Sequence, residues 1–439
     1  MTLHFTTLGC KVNQYETGAL QTLLTARGHR LADAGERADV VVINTCAVTG
    51  ESERKSRQAI RKARREHPGA LVAVCGCFSE LSPAAAADLE ADLVRGSTDR
   101  GAFVEELEQI ALRRGGAQCV SDDSVSAQAP KAADRHDFEL LPAGSPDGRT
   151  RALLKVQDGC ENFCTYCIIP YARGPVRSIL LDAAVEQARA LMGAGYRELV
   201  ITGIEISSYG RERAGADLTD LVEAVCQAVP TIRVRLGSLE PRTVTADFCD
   251  RLRELPNLCP HFHLSLQSGS DAVLRRMGRR YDTARYAESV ARLRACFPDC
   301  AITTDLIVGF PGELNSDCEK TLEFMRNCAF SAVHVFPYSA RAGTPAAQMA
   351  GQIPKAERTR RAKLMREAAA ELRQDFLKTR VGKTVPVLFE YEAEGKSSGH
   401  TPNYCTVVVE RTGLQNEVRD VRIRAVSGAE LVGEVVIER

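Results

Sequence analysis

From Thr2 to about residue 112, short apolar runs alternate with longer stretches of mixed character. Thr2–Thr7, Ala38–Ile43 and Leu71–Val74 are rich in β-branched residues and lie beside turn signals, a pattern that predicts strands. Tyr15–Arg27 and Glu51–Glu66 place apolar residues at helical spacing and predict helices. Residues 1–112 thus read as a small α/β domain. From about Gly115 to Gly148 the chain turns to Ala, Ser, Asp, Gly and Pro with little periodicity, so residues 113–148 read as a linker.

Alternation resumes at Arg151 and is regular. Strands are expected at 152–157, 198–203, 231–237, 261–266, 302–308 and 331–336, with helices at 182–194, 217–228, 243–254, 282–297 and 316–328 between them. Strand–helix–strand succession of this kind implies a parallel sheet with right-handed crossovers, either open or curled into a partial barrel. A long basic helix follows at about 355–379, which closes a second domain at residues 149–379. Beyond Arg380 the period shortens. Val385–Glu390, Tyr404–Glu410, Val421–Ala425 and Leu431–Ile437 are short alternating strands separated by Gly- and Pro-containing turns, which predicts a small all-β barrel over residues 380–439.

Composition narrows the class of protein. The 439 residues carry no formal net charge, so a polyanion partner has to be met by a local patch rather than by a global field. Hydrophobic residues at 44% suffice for folded cores, and no run of about 18 apolar residues suggests a membrane span. The first residues read as a strand rather than a secretion signal, which leads to the expectation of a cytoplasmic protein. In that compartment thiols stay reduced, so the sixteen cysteines have to be sorted by spacing into metal ligands and buried bystanders.

One spacing stands out. Cys160-Glu-Asn-Phe-Cys164-Thr-Tyr-Cys167 follows the first strand of the central sheet, at the strand end where parallel α/β folds build their sites. Three thiolates hold three irons of a four-iron cluster and leave the fourth open, and an open iron is what the amino and carboxylate groups of S-adenosylmethionine chelate. A zinc site lacking its fourth ligand, or three unrelated cysteines, are the alternatives on spacing alone. A more scattered set, Cys10, Cys46 and the pair Cys75 and Cys77, falls just beyond the first three strands of the amino-terminal domain. Side chains there converge on one rim, so a second three-cysteine cluster is geometrically possible beside the reading of reactive or buried thiols. Cys75 ends its strand and is expected to point away from its neighbours. Cys119, Cys226, Cys249, Cys259, Cys296, Cys300, Cys318, Cys328 and Cys405 show no ligand spacing and read as small buried hydrophobes.

These residues resemble a known family. Val156-Gln-Asp-Gly-Cys160 through Cys164-Thr-Tyr-Cys167-Ile-Ile-Pro-Tyr-Ala-Arg-Gly174 resembles the radical-SAM core of the methylthiotransferases. Thr7-Leu-Gly-Cys10-Lys-Val-Asn-Gln-Tyr-Glu16 and Ile43-Asn-Thr-Cys46-Ala-Val-Thr49 resemble their amino-terminal domain. His263-Leu-Ser-Leu-Gln-Ser-Gly-Ser270, Thr304-Asp-Leu-Ile-Val-Gly-Phe-Pro-Gly-Glu313 and Phe336-Pro-Tyr-Ser339 extend the likeness over nearly the whole chain. The resemblance implies an α/β fold with an open partial (β/α)6 radical-SAM barrel, and the terminal barrel looks like a TRAM domain, an RNA-binding module. It further implies two 4Fe-4S clusters and S-adenosyl-L-methionine as cofactors. Cys160, Cys164 and Cys167 would carry the cluster that binds S-adenosylmethionine; Cys10, Cys46 and Cys77, not Cys75, would carry the auxiliary one. Phe78-Ser79-Glu80 departs from the Ala-Gln pair the family often has there, away from any ligand.

Three branches of this family differ in substrate: isopentenyladenosine in tRNA, an aspartate of a ribosomal protein, and N6-threonylcarbamoyladenosine at position 37 of tRNA. The Gly9–Glu16 string is most similar to the third, and the loop Gly203-Ile-Glu-Ile-Ser-Ser-Tyr-Gly210 agrees. The implied activity is transfer of a methylthio group to C2 of that adenosine, one S-adenosylmethionine methylating sulfur on the auxiliary cluster and a second being cleaved to a radical. Such an enzyme needs a reductase or flavodoxin-type electron donor and a sulfur source. Its chemistry is carried by the clusters, and no catalytic side chain is assigned.

Weaker signals remain. Tyr166, Gly203, Ser238, Gln267 and Gly309 sit between cluster ligands or at strand ends and are candidates for holding the cofactor, against ordinary turn or packing roles. Arg54, Lys55, Arg57, Arg61, Lys62, Arg64 and Arg65 crowd one helix, Arg275, Arg276, Arg279 and Arg280 a loop, and Lys355, Arg358, Arg360, Arg361 and Lys363 the long helix. Each fits phosphate contact or a solvated face. A non-catalytic RNA-binding protein with structural zinc is the rival from another class; it would be colourless and hold zinc rather than iron.

Overall fold

The computed structural model describes residues 1–115, 137–144 and 149–436. Most of the expected linker, with Cys119, and the last three residues, with the end of the strand expected at Leu431–Ile437, lie outside them. Two compact units divide the chain: Met1–Gly148 with Lys155–Ile179 and Ser339–Thr344, and Arg149–Leu154 with Leu180–Tyr338 and Pro345–Arg439. This differs from boundaries drawn at residues 112, 148 and 379. The stretch that carries Cys160–Cys167 joins the amino-terminal unit because its charged side chains are buried there, and the terminal barrel shares a unit with the larger sheet.

The first unit is built on a five-stranded parallel sheet in the order Arg30–Leu31, Thr2–Thr7, Val40–Thr45, Leu71–Gly76, Leu93–Val94. Val40–Thr45 is buried at every position because both faces of the sheet are covered. Val40 and Val42 pack with Leu20, Leu24 and Phe103 on one face, while Val41 and Ile43 pack with Ile60, Ala63 and Phe78 on the other. Lys11–Ala26 and Gly50–Glu66 are the expected helices, and Thr49 caps the second through the Ser52 N–H at 3.0 Å. The short edge strands and the helix Arg100–Gly115 were not foreseen, and that helix runs past the expected boundary. Part of the expected linker is docked: the Tyr15 hydroxyl donates to the Leu141 carbonyl at 2.8 Å, and the Asp99 N–H to Glu139 at 3.0 Å.

In the second unit the Arg151–Leu154 half of Arg151–Asp158 precedes Glu198–Gly203 and Arg233–Leu236 in one parallel run; Ser238–Leu239, His261–Leu264, Ala301–Val308 and Ala332–Pro337 form the next. The strand expected at 231–237 is broken at Gly237, where a Cβ would lie 3.0 Å from the Ile201 carbonyl oxygen. The five crossover helices stand where the periodicity placed them, as Leu181–Gly193, Leu218–Ala228, Ala246–Leu252, Thr283–Cys296 and Asn315–Cys328. Asp217, Thr245 and Asp282 cap three of them at their amino ends.

The long helix Lys355–Lys378 leads into a closed five-stranded barrel. Its strands are Thr384–Ala393, Lys396–His400, Thr406–Val409, Val418–Ser427 and Glu430–Val435, of which Lys396–His400 was not expected. Val421 and Ile423 point into the barrel core while Arg422 and Arg424 face out, the period-two alternation that the sequence displays. A buried polar junction ties barrel to sheet. Arg235 grips Glu198 through two bonds of 2.7 and 2.9 Å and lies 4.7 Å from the Tyr404 ring centre, and Tyr404 stacks between His261 and His400. Glu390 binds Arg151 at 2.7 Å and His400 at 2.6 Å.

Candidate functional site

The strand order of the first unit reverses between Thr2–Thr7 and Val40–Thr45, and in open parallel sheets the crevice at such a reversal is where ligands bind. Cys10 follows the first of these strands and Cys46 the second; Cys77 opens the helix after the neighbouring strand Leu71–Gly76. The chain turns sharply to present them. Gly9 has φ +101°, and a Cβ there would lie 2.8 Å from the Cys46 Sγ, so only glycine lets Cys10 and Cys46 share the crevice. Each of the three thiols lies close enough to feel another: Cys10 feels Cys46, Cys46 feels Cys77, and Cys77 feels Cys10. Cys75 also feels Cys77, but it belongs to the other face of the sheet. It packs with Leu20, Leu24 and Phe103 on the far face, and burial pushes its thiol up to about 11.

Cys160–Cys167 lies in the same unit. Gly159 brings the chain against the following segment: a Cβ there would be 1.8 Å from the Pro175 carbonyl oxygen, and the Cys160 N–H donates to the Gly174 carbonyl at 3.0 Å. The Cys167 N–H donates to the Cys164 carbonyl at 2.9 Å, so the last two ligands sit on one turn. Phe163 is exposed and lies edge-on to Tyr171 with ring centres 5.7 Å apart.

Fully buried charges stand behind these thiols. Arg173 donates from Nε to the Cys77 Sγ at 3.3 Å and from its terminal nitrogens to Glu16 and to Asn13 Oδ1. Lys155 bridges Glu16 at 3.1 Å and Asp158 at 2.7 Å; Arg100 binds Glu16 at 2.8 Å and Arg177 binds Asp158 at 3.1 Å. Burial alone would raise the Glu16 carboxyl, but Arg173, Lys155 and Arg100 outweigh it and hold it well below the usual range; Asp158 is held down in the same way by Lys155, Arg177 and Arg173. Four buried cations thus face two buried carboxylates, Glu16 and Asp158, with Glu139 a third near Arg100. That excess of positive charge calls for an anionic group at the thiol end. Three thiolates on an iron–sulfur cluster supply one, so the residues present fit the cluster. A zinc ion held by thiolates alone fits the same donors but gives no use for an open ligand position.

Other expectations fall out differently. Tyr166 lies half-buried on the turn between Cys164 and Cys167 in the first unit. Gly203, Gln267 and Gly309 lie at or just beyond the carboxyl ends of second-unit strands, but Ser238 opens a two-residue strand rather than ending one. Gln267 adopts φ +69°, and the Gly309 N–H is already bound by Glu313 at 3.0 Å while Arg358 lies across its Cα. Several expected phosphate contacts are satisfied within the protein. Arg361 is buried between Glu313 and Glu357, Arg64 binds Asp92, Arg57 binds Glu53, and Arg54 binds Glu51. Lys55, Arg61, Arg275 and Arg280 are exposed. Arg275 and Arg276 end a helix, Asp271–Arg276, rather than lying in a loop. Arg173, Glu16 and Glu205 were given no role from sequence. Burial raises the Glu205 carboxyl, which accepts from the Ser207 N–H at 3.1 Å just past Gly203; its only signal was an acid between Ile204 and Ile206 at a strand end.

Comparison with known proteins agrees with this geometry. Residues 154–325 match the Radical SAM superfamily, and residues 2–96 match the Uncharacterized protein family UPF0004. The chain is 36% identical to the threonylcarbamoyladenosine tRNA methylthiotransferase MtaB of Thermotoga maritima over 97% of this chain and 95% of that one. It is 35% identical to the tRNA-2-methylthio-N(6)-dimethylallyladenosine synthase of Oleidesulfovibrio alaskensis over 91% of this chain and 85% of that one. The fold is shared with the radical S-adenosylmethionine methyltransferase TsrM of Kitasatospora setae, with a TM-score of 0.58 at 14% identity, covering 90% of this chain and 80% of that one. Among the described residues no helix is long and apolar enough to cross a membrane. The chain belongs to the radical-SAM methylthiotransferase family, transferases that work with S-adenosylmethionine and two 4Fe-4S clusters.

Proposed function

We propose that this protein transfers a methylthio group to C2 of N6-threonylcarbamoyladenosine at position 37 of tRNA. The observation that carries the reading is the end-to-end likeness to a relative named for that nucleoside, supported by the Cys160–Cys164–Cys167 triplet and the set Cys10, Cys46 and Cys77. Near-equal identity to a dimethylallyladenosine enzyme makes overall similarity a poor discriminator, so the choice of branch rests on the Gly9–Glu16 string and the Gly203–Gly210 loop.

In this reading Cys160, Cys164 and Cys167 hold one cluster, and Cys10, Cys46 and Cys77 hold the other. Tyr166, Gly203, Ser238, Gln267 and Gly309 remain the candidates for holding the cofactor. Residues 1–112 serve the auxiliary cluster, 149–379 the radical chemistry, and the TRAM-like barrel 380–439 RNA binding. When bound, the clusters and S-adenosylmethionine supply a carbon radical and a methylated sulfur. The chain's own work is to orient and to shield. Arg173 holds Cys77 in place through its hydrogen bond and offsets thiolate charge. The buried Glu16–Arg173–Asp158 network fixes the segment after Cys167 against the helix after Cys10. Outward arginines of the terminal barrel, Arg422 among them, meet tRNA phosphate. The protein works in the cytoplasm with a reductase or flavodoxin-type donor and a separate sulfur source.

The test is a reconstitution under nitrogen with iron, sulfide, S-adenosylmethionine and dithionite, offering three substrates side by side. Methylthiolation of an anticodon stem-loop bearing threonylcarbamoyladenosine, in preference to one bearing isopentenyladenosine or to a ribosomal protein, is expected. Preference for either of the others overturns the substrate.

A further inference from the structure

Where His261–Leu264, Ala301–Val308 and Ala332–Pro337 run side by side in the second unit, helices bury one face of the parallel sheet. On that face the Phe262 ring packs 4.9 Å from Phe297, and the Tyr286 hydroxyl reaches Thr304 at 3.3 Å. The opposite face carries His263, Thr303, Asp305 and His334. Register brings them together: His263 pairs with Thr303, and Asp305 with His334. Parallel sheets in α/β proteins ordinarily bury apolar residues on both faces. Ionisable side chains here, with His263 15% and Asp305 33% exposed, point to a ligand rather than to a core.

We propose that His263, Asp305 and His334 form a binding site for a divalent first-row transition ion, separate from both cysteine sets. Each offers one ligand atom, and the three atoms lie within 4.8 Å of one another. His263 Nε2 is 3.3 Å from the Asp305 carboxylate, about the separation of neighbouring ligands around one small ion. The other ring nitrogen is already placed: His263 Nδ1 is 3.0 Å from the Thr303 Oγ1, an outer contact of the kind that orients ligating imidazoles. Two imidazoles and one carboxylate favour zinc, iron or manganese over magnesium or calcium, which prefer all-oxygen sets. Three protein ligands leave coordination positions open, where an oxygen of a bound substrate would enter.

The test uses the holoenzyme, whose cluster cysteines are already occupied, titrated with Mn2+ while the six-line electron paramagnetic resonance signal of the free ion is followed. Loss of that signal for about the first equivalent, and its return on adding Zn2+, is expected from the order of ion affinities. His334→Gln and Asp305→Asn should each weaken binding at least tenfold with unchanged cluster absorbance; His334 is exposed, so its replacement leaves the fold intact. Thr303→Val should weaken binding about tenfold by releasing the ring. A free-ion signal that grows from the first addition, or variants that bind as tightly as the parent, overturns the site. Because only ion binding is read, failure here leaves the proposed transfer reaction standing.

Discussion

At the scale of single residues, adjacent cysteines do different work because of the face each occupies. Cys75 is sealed in an apolar cluster, whereas Cys77 meets the Arg173 guanidinium at 3.3 Å. Reconstituted protein should hold about eight irons, and Cys77→Ala about four, because one of two four-iron clusters loses a ligand. Cys75→Ala should keep all of them; chemical iron analysis separates the two. Arg173 offers a second test. An N–H···S bond and a buried positive charge both favour the reduced form of a cluster. Arg173→Gln should therefore make the auxiliary cluster harder to reduce, by about 59 mV or more if the oxidised-to-reduced ratio at fixed potential rises tenfold. A redox titration followed by electron paramagnetic resonance reads this directly, and an unchanged potential would assign Arg173 to packing alone. Position after a strand singled out Cys10, Cys46 and the Cys75/Cys77 pair, and only the family resemblance chose Cys77. Arg173 could not be named from sequence, since its partners Glu16 and Asn13 lie far away along the chain.

At the scale of elements, periodicity served best where structure is repetitive. Strands of the central sheet and their crossover helices were legible because each buries an apolar face against the next. The two-residue edge strands Arg30–Leu31 and Leu93–Val94 were not, being too short to show a period, and Lys396–His400 carries Ser, Gly and His where a strand ordinarily has branched apolar residues. Nor was the Tyr404 junction visible: it joins residues from the first strand of the second unit, the neighbouring strands and the terminal barrel. Tyr404→Ala should remove about 2 kcal/mol of stability by stripping an aromatic from between two imidazoles and two guanidiniums. Denaturant unfolding with proteolysis near residue 380 would register it. The same junction is acid-sensitive. Burial would raise Glu198, but Arg235 and Arg233 hold it at about 2 against an ordinary 4.5. A carboxyl depressed on folding stabilises above its unfolded value and loses that contribution as pH falls through it. Unfolding should steepen below pH 4.5, and Glu198→Gln should flatten that dependence while lowering stability at neutral pH.

At the scale of the whole molecule, zero net charge means that tRNA has to be recognised by local patches. Many cations that looked available in sequence are spent on Glu and Asp partners, so the exposed set is smaller than the count of Lys and Arg suggests. Arg422→Ala on the outer face of the terminal barrel should weaken tRNA binding several-fold and reduce its salt slope by about one, while iron content stays unchanged. Filter binding at several salt concentrations measures both.

The most direct test of the account is mass spectrometry of nucleosides from tRNA of cells with and without this gene. Loss of 2-methylthio-N6-threonylcarbamoyladenosine, with accumulation of the nucleoside lacking the methylthio group, is the predicted result. The modification persisting at equal level in both strains would contradict the assigned substrate and redirect the search to isopentenyladenosine and to ribosomal protein.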